Sequence, residues 1–180
     1  MRSDFLREEV RVCVTGHRPT KLIGGYNLDS PENVKIKEEM KTILTALLEQ
    51  KCEKLVCYSG MALGIDLLFA DAVLSLKDIF GERIKLICAI PFEDQTKNWV
   101  KHEDIVFYHL ILEYADEIVN TSGKIEYKAS YLQKRNEYMV DHSDLILAYW
   151  NGTPSGTKNC IDYATRLNKQ VMIRETGLKK

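Results

Sequence analysis

The sequence predicts an α/β three-layer sandwich on a mostly parallel sheet of about six strands. Three observations predict it. Short apolar runs alternate with stretches of helical periodicity along the whole chain. Polar, glycine-bearing turns follow several of those runs, and no linker, repeat or low-complexity segment breaks the alternation. A single domain over residues 1–180 follows, since 180 residues suffice for one substantial core.

Residues 10–15 form the first compact apolar run, a buried strand by composition, ending in Gly16-His17-Arg18-Pro19. A loop of about 15 residues follows, with Lys21, Gly24-Gly25, Tyr26 and Asn27; such lengths are uncommon in compact domains and either cover a site or make a plain surface excursion. Ser30-Pro31 supplies an N-cap and a proline at the first helical position. Ile36, Met40, Ile43, Leu44, Leu47 and Leu48 then recur on one helical face.

The chain is organised around Tyr58-Ser59-Gly60-Met61-Ala62-Leu63-Gly64-Ile65-Asp66. A strand is predicted to end at Ser59, a turn to fall on Gly60, and a helix to run from Met61 to about Leu76. Gly60 and Gly64 remove side chains where the backbone turns tightly or another group comes close. The unpaired N–H groups of a helix start suit a phosphate or carboxylate, although the same unit also serves as a packed corner. Asp66 either complements the helix dipole or binds a ligand hydroxyl or a backbone amide.

Residues 84–90 are the third strand, stopped by Pro91-Phe92, and residues 95–101 hold Trp99 among polar neighbours. Val106, Leu110, Leu112 and Tyr114 suggest a helix; residues 117–119 form a short strand closed by Asn120-Thr121-Ser122-Gly123. Residues 129–143 read as a helix with Arg135 and Met139 one turn apart. The fifth strand, residues 145–149, runs into Trp150-Asn151-Gly152-Thr153-Pro154-Ser155-Gly156-Thr157. A helix carrying Ile161, Ala164 and Leu167 follows, then a sixth strand at 170–173.

Right-handed crossovers place the C-terminal ends of parallel strands along one edge, and ligands sit outside that edge where the strand order reverses. The turns at 15–18, 59–60 and 152–157 all belong to it, so their convergence says more than any one of them.

The net charge of −1 lacks the basic excess needed to grip duplex nucleic acid nonspecifically. Five cysteines make an odd number without metal-ligand spacing, and no metal or cofactor is expected. Cys13, Cys57 and Cys88 fall in apolar runs and read as small buried thiols in a reducing cytoplasm. Met1-Arg2-Ser3-Asp4-Phe5 has no apolar signal core, and no uncharged stretch is long enough to cross a bilayer.

Thr15-Gly16-His17-Arg18-Pro19, then Ser59 through Asp66, then Arg135 with Met139, then Ser155-Gly156-Thr157 resemble the SLOG superfamily, which joins DprA/Smf to the LOG cytokinin-activating enzymes. The opening motif and the Gly24-Gly25-Tyr26 loop look most like its YspA/YoqJ branch of bacteria and phages. The resemblance spans about residues 11–171. It implies a Rossmann-like fold and a pocket for nucleotides or their derivatives. LOG enzymes carry a Gly-Gly-x-Gly-Thr-x-x-Glu turn whose Glu does N-glycosidic chemistry. Here Thr153-Pro154-Ser155-Gly156-Thr157-Lys158-Asn159 leads to Cys160, so two glycines are missing and the acid is a thiol. A buried thiol cannot replace that carboxylate, which weighs against an enzyme.

The leading expectation is a domain that senses or sequesters a small nucleotide-derived ligand, by resemblance an ADP-ribose- or NAD-derived defence signal. Thr15, Ser59, Ser155 and Thr157 would bind phosphate oxygens, with backbone from Gly16, His17, Gly60, Met61, Gly152 and Gly156 at the same rim. Arg18 and Arg135 would supply charge, Asp66 or Asn120 would hold ribose hydroxyls, and Trp150 or Tyr26 would stack on the base. Ordinary packing also accounts for either aromatic, backbone bonding in a turn for His17, and solvation for Lys134 and Lys158.

A second expectation is a nucleotide hydrolase using Asp66, Glu93 or Asp94. A third is DprA-like binding of single-stranded DNA through Arg18, Lys21, Lys128, Arg135 and Lys158, with stacking on Trp99 or Trp150. The net charge sets nucleic acid aside as the less favoured partner. A homodimer is the default assembly for such a fold.

Overall fold

The computed structural model describes residues 6–180; the residues 1–5 read above as lacking a signal core lie outside it. The elements run β1 (Arg7–Gly16), α1 (Pro31–Gln50), β2 (Cys52–Ser59), α2 (Ile65–Phe80), β3 (Ile84–Ile90), α3 (His102–Tyr114), β4 (Glu117–Asn120), α4 (Ala129–Asp141), β5 (Leu145–Tyr149), α5 (Gly156–Arg166) and β6 (Gln170–Arg174). All six strands pair in parallel in the order β4-β3-β2-β1-β5-β6.

That order explains the layers. From β1 the chain steps outward through β2 and β3 to β4, then returns past β1 to β5 and β6, so its direction reverses between β1 and β5. Constant crossover handedness puts the outward helices on one face and the returning ones on the other. The strand pleat matches. Val12, Val14, Leu55, Cys57, Leu86 and Leu147 point into the core beneath α1, α2 and α3. Their neighbours Cys13, Val56, Tyr58, Ala89 and Ile146 point into the smaller core beneath α4 and α5. Both faces of the central strands are therefore buried, which is why these strands read as continuous apolar runs rather than alternating ones.

The helix after β2 corrects the sequence. It begins at Ile65, not Met61. Met61 sits at φ 57 and Gly64 at φ 95, so 61–64 is a loop rather than a first turn. A Cβ on Gly64 would lie 2.7 Å from the His17 carbonyl oxygen and one on Gly60 would meet the Arg135 guanidinium, so both glycines mark a close approach and only the second carries a positive φ. The loop after β1 is anchored. Leu22 bridges Leu178, Ile23 N–H donates to Gly177 O at 2.9 Å, and Asn33 Nδ2 donates to the carbonyls of Gly25 and Asn27. All five cysteines are buried free thiols.

Candidate functional site

The C-terminal ends of β1 and β5 flank the reversal of strand order, and a cavity of about 140 Å³ opens there. One wall is the end of β1 and its turn, Thr15 to Arg18. Gly156 and Thr157, the first residues of α5, line the cavity too. Asp66 of α2 and Arg135 of α4 close the floor, with Ala62, Leu132, Asn136 and Met139 filling in.

The floor is a buried polar assembly. Arg135 Nη1 lies 3.6 Å from Asp66 Oδ2, and each side chain is 7% exposed. Arg135 also donates through Nη1 to the Gly60 carbonyl and through Nε to Asn136 Oδ1 at 2.9 Å. Asp66 Oδ2 accepts from Ala62 N–H at 3.3 Å. Burial pushes the Asp66 carboxyl above its ordinary range against the pull of Arg135 and Arg18, and the same burial presses the Arg135 guanidinium down against the pull of Asp66. The two charges neutralise one another inside the protein.

Arg18 differs. It is exposed at the cavity mouth, and its guanidinium takes no hydrogen bond or salt bridge among the described residues. With Asp66 already balanced by Arg135, Arg18 leaves a surplus positive charge. The start of α5 adds to it. Ser155 Oγ caps the helix by accepting from Lys158 N–H at 3.3 Å, which leaves the N–H groups of Gly156 and Thr157 beside the cavity. A Cβ on Gly156 would meet nothing within 4 Å. His17 is buried, with Nε2 2.7 Å from Asn151 Oδ1; desolvation holds the imidazole below its ordinary value.

The structure thus gathers Thr15, Gly16, His17, Arg18, Asp66, Arg135, Gly156 and Thr157 around one cavity. It places the other sequence candidates elsewhere. Ser59 is fully buried, its hydroxyl donating to Asp66 O at 2.8 Å and accepting from Met61 N–H at 3.2 Å, so it braces the corner. Met61 is core, and Gly60 lies under the site, its carbonyl held by Arg135 and by Gln95. Asn120 uses its side chain to shape the turn after β4, accepting from Gly123 N–H at 3.0 Å and donating to Lys124 O at 2.9 Å. Trp150 Nε1 donates to Thr153 O at 2.7 Å and steadies the turn that includes Gly152, while Tyr26 is exposed with Lys101 Nζ 5.3 Å above its ring. Leu132 and Asn136 escaped the sequence reading. The spacing of Arg135, Asn136 and Met139 on the inward face of α4 was the available signal.

Cys160, which the resemblance sets against the LOG glutamate, is fully buried, and desolvation pushes its thiol up to about 11. It is a neutral packing group at physiological pH.

Six parallel strands, helices on both faces and a charged cavity at the switch point define the Rossmann-like α/β class. Within that class the chain belongs to the YspA SLOG family, whose model matches residues 12–175. It is 35% identical over 149 residues to the SPbeta prophage-derived protein YoqJ of Bacillus subtilis, covering 77% of this chain and 85% of YoqJ. It is 31% identical over 160 residues to a UPF0398 protein of Listeria monocytogenes, covering 88% of this chain and 85% of that protein. Among solved structures it is similar in fold to DNA processing protein A of Helicobacter pylori (TM-score 0.62, 15% identity, 94% of this chain and 68% of that one). The same protein of Streptococcus pneumoniae gives a TM-score of 0.58 at 15% identity, over 94% of this chain and 50% of that one. The H. pylori protein is described by its single-stranded DNA binding mode. At 15% identity, these likenesses show the fold. No described helix is long and apolar enough to cross a membrane.

Proposed function

We propose that this chain binds a small phosphorylated nucleoside or nucleotide derivative, with a phosphate in the cavity between β1 and α5. One observation carries the reading: Arg18, whose guanidinium has no partner among the described residues, lines the same cavity as the open amino end of α5. Arg135, locked by Gly60, Asn136 and Asp66, shapes the floor, and Thr15 and Thr157 line the cavity with it. The family resemblance suggests an NAD- or ADP-ribose-derived signal. Binding without hydrolysis is the better-supported form, because Cys160 is neutral and Asp66 is tied to Arg135. The homodimer expected from the sequence belongs to the same proposal, with Val106, Leu110 and Tyr114 of α3 as exposed apolar candidates for contact.

The test is to denature protein purified from cells and identify any released nucleotide by mass spectrometry. A thermal-shift panel of AMP, NAD, ADP-ribose and its cyclised forms follows, on the wild type and on Arg18→Ala. A midpoint raised by one of these and lost in the variant supports the reading. No released nucleotide and no shift from any of them defeats it, and release of free base or phosphate from the panel would restore the hydrolase reading. The fold shared with DNA processing protein A favours a second reading, single-stranded DNA along the same edge. Flat titrations with oligonucleotide at low salt would remove it.

A further inference from the structure

Beside the cavity just described lies a second chamber of about 240 Å³. Arg18 and Leu132 line both, so the two meet across these side chains. The walls of the second chamber are aromatic. Phe92 and Tyr127 pack edge to face with centroids 5.6 Å apart at 82°, and Trp99 packs edge-on against the buried Tyr108 at 5.3 Å. Although it belongs to this chamber, Tyr127 is 59% exposed. The remaining wall is polar, and on it Lys97 Nζ stands 3.7 Å from Asp94 Oδ2, one of the acids weighed for hydrolysis. Gln95 is fixed by donating to Gly60 O and accepting from Tyr108 Oη, whereas the exposed Asn98 amide has no partner among the described residues.

We propose that this chamber holds the base of the nucleotide whose phosphate occupies the first; the proposal rests on the reading above and names where the rest of the ligand lies. Size argues for it. Small-molecule pockets start at roughly 300 Å³. Neither chamber reaches that alone, and the two together do. Chemistry agrees. A free cation at the junction, planar rings beyond it and an unused amide at the side match an anion joined to a flat heteroaromatic group with a hydrogen-bonding edge. A plain acyl chain would leave the Asn98 amide unused, and an inorganic anion would leave the rings unused. Tyr127 and Trp99 therefore take the stacking role first given to Tyr26 and Trp150, which lie outside both chambers.

The experiment compares probes that share the phosphate and differ in the base. Ribose 5-phosphate and each common ribonucleoside 5′-monophosphate are titrated into wild type, Tyr127→Ala, Tyr127→Phe and Asn98→Ala, with an oligothymidylate as a further arm. Both side chains are exposed, so the variants should fold, and an unchanged unfolding midpoint checks that. The expected result is at least one monophosphate binding about ten-fold or more tighter than ribose 5-phosphate. Tyr127→Ala should erase that advantage and leave ribose 5-phosphate binding unchanged, and Tyr127→Phe should keep it. Asn98→Ala should alter the ranking among bases. Equal affinity for ribose 5-phosphate and every monophosphate, or a Tyr127→Ala loss shared equally by all, overturns the base chamber while leaving the phosphate site standing. Binding of the oligonucleotide alone assigns the chamber to a strand and overturns it too. No binding of any probe removes the phosphate site and this inference together.

Discussion

Two glycine-bearing corners meet at the same sheet edge, and the molecule uses them in opposite ways. In the corner after β2 the polar groups are committed inward. Ser59 bonds Asp66 and Met61, Asp66 holds Ala62 and Arg135, and the Gly60 carbonyl takes donors from Arg135 and Gln95. Its glycines are crowded, since a Cβ on Gly60 would strike the Arg135 guanidinium and one on Gly64 would strike His17 O. In the corner after β5, Gly152 and Gly156 face open space; the side chains of Trp150, Asn151, Thr153 and Ser155 shape the turn, and the N–H groups that open α5 stay beside the cavity. The first corner is the scaffold that fixes charges in place; the second leaves backbone donors unspent beside the cavity. A glycine in a motif is thus ambiguous until its neighbours are known.

The sharpest way to break this comparison is Asp66→Asn. If the scaffold corner depends on a balanced buried pair, losing the carboxylate strands Arg135 as an uncompensated buried charge. The expected loss is about 3–5 kcal/mol of folding free energy, read by urea denaturation. That is a large share of the stability of a typical domain, about 5–15 kcal/mol. Loss of less than about 1 kcal/mol would show that solvent reaches the pair and that the corner is not a closed scaffold.

Gly64→Ala probes the same corner through its backbone. The residue sits at φ 95, and the added Cβ would lie 2.7 Å from a backbone oxygen that has little freedom to move. A destabilisation of about 3 kcal/mol is expected in the same assay. Gly156→Ala is its counterpart in the open corner, and the contrast between them is the useful quantity. Alanine at the first position of α5 meets no protein atom, so stability should stay within about 0.5 kcal/mol of wild type or rise slightly. Phosphate-containing ligands should bind about ten-fold more weakly, because the methyl group fills room kept for them. Unchanged affinity would mean that the open space beside Gly156 is incidental.

The sequence carried the fold further than it carried the site. β3 and β5 begin and end where the apolar runs do; β5 is buried throughout and apolar throughout, and β3 departs from that only at the exposed Lys85 near its start. The start of α2 was misplaced because Gly60 and Gly64 both look like turn residues, and only packing against His17 O shows that the second one ends the loop. In the site, the turn residues of β1 and the start of α5 were legible from motif and topology. Asn120, Ser59 and Trp150 were not separable from true lining residues, since a polar side chain that shapes a turn is spelled like one that faces a ligand. The aromatic chamber was least legible. It forms where the loop after β3 pairs with the loop after β4, Glu93 N–H to Lys124 O and Asp94 N–H to Ile125 O, a contact with no periodicity to announce it.

The smallest expected effect concerns His17, which joins the two corners: its carbonyl crowds Gly64 while its ring is held by Asn151 of the open turn. Desolvation lowers its pKa from 6.5, the Asn151 contact opposes that, and Lys21 reinforces it. The folded protein therefore binds fewer protons at this site than the unfolded chain between 6.5 and the lower folded value. Stability is complete above that window and falls as pH drops through it. The Asp66 carboxyl, raised by burial, works in the opposite sense, retaining its proton in the folded state over a range above 3.8. A fall in stability that begins near neutrality therefore belongs to the imidazole. Urea midpoints from about pH 8 down to about pH 5 should show a decline no steeper than about 1.4 kcal/mol per pH unit, the limit for one proton. His17→Gln should flatten it. A wild-type stability that rises on acidification through the same window would mean that the ring is held charged, and that it, rather than Arg18 alone, contributes positive charge to the cavity between β1 and α5.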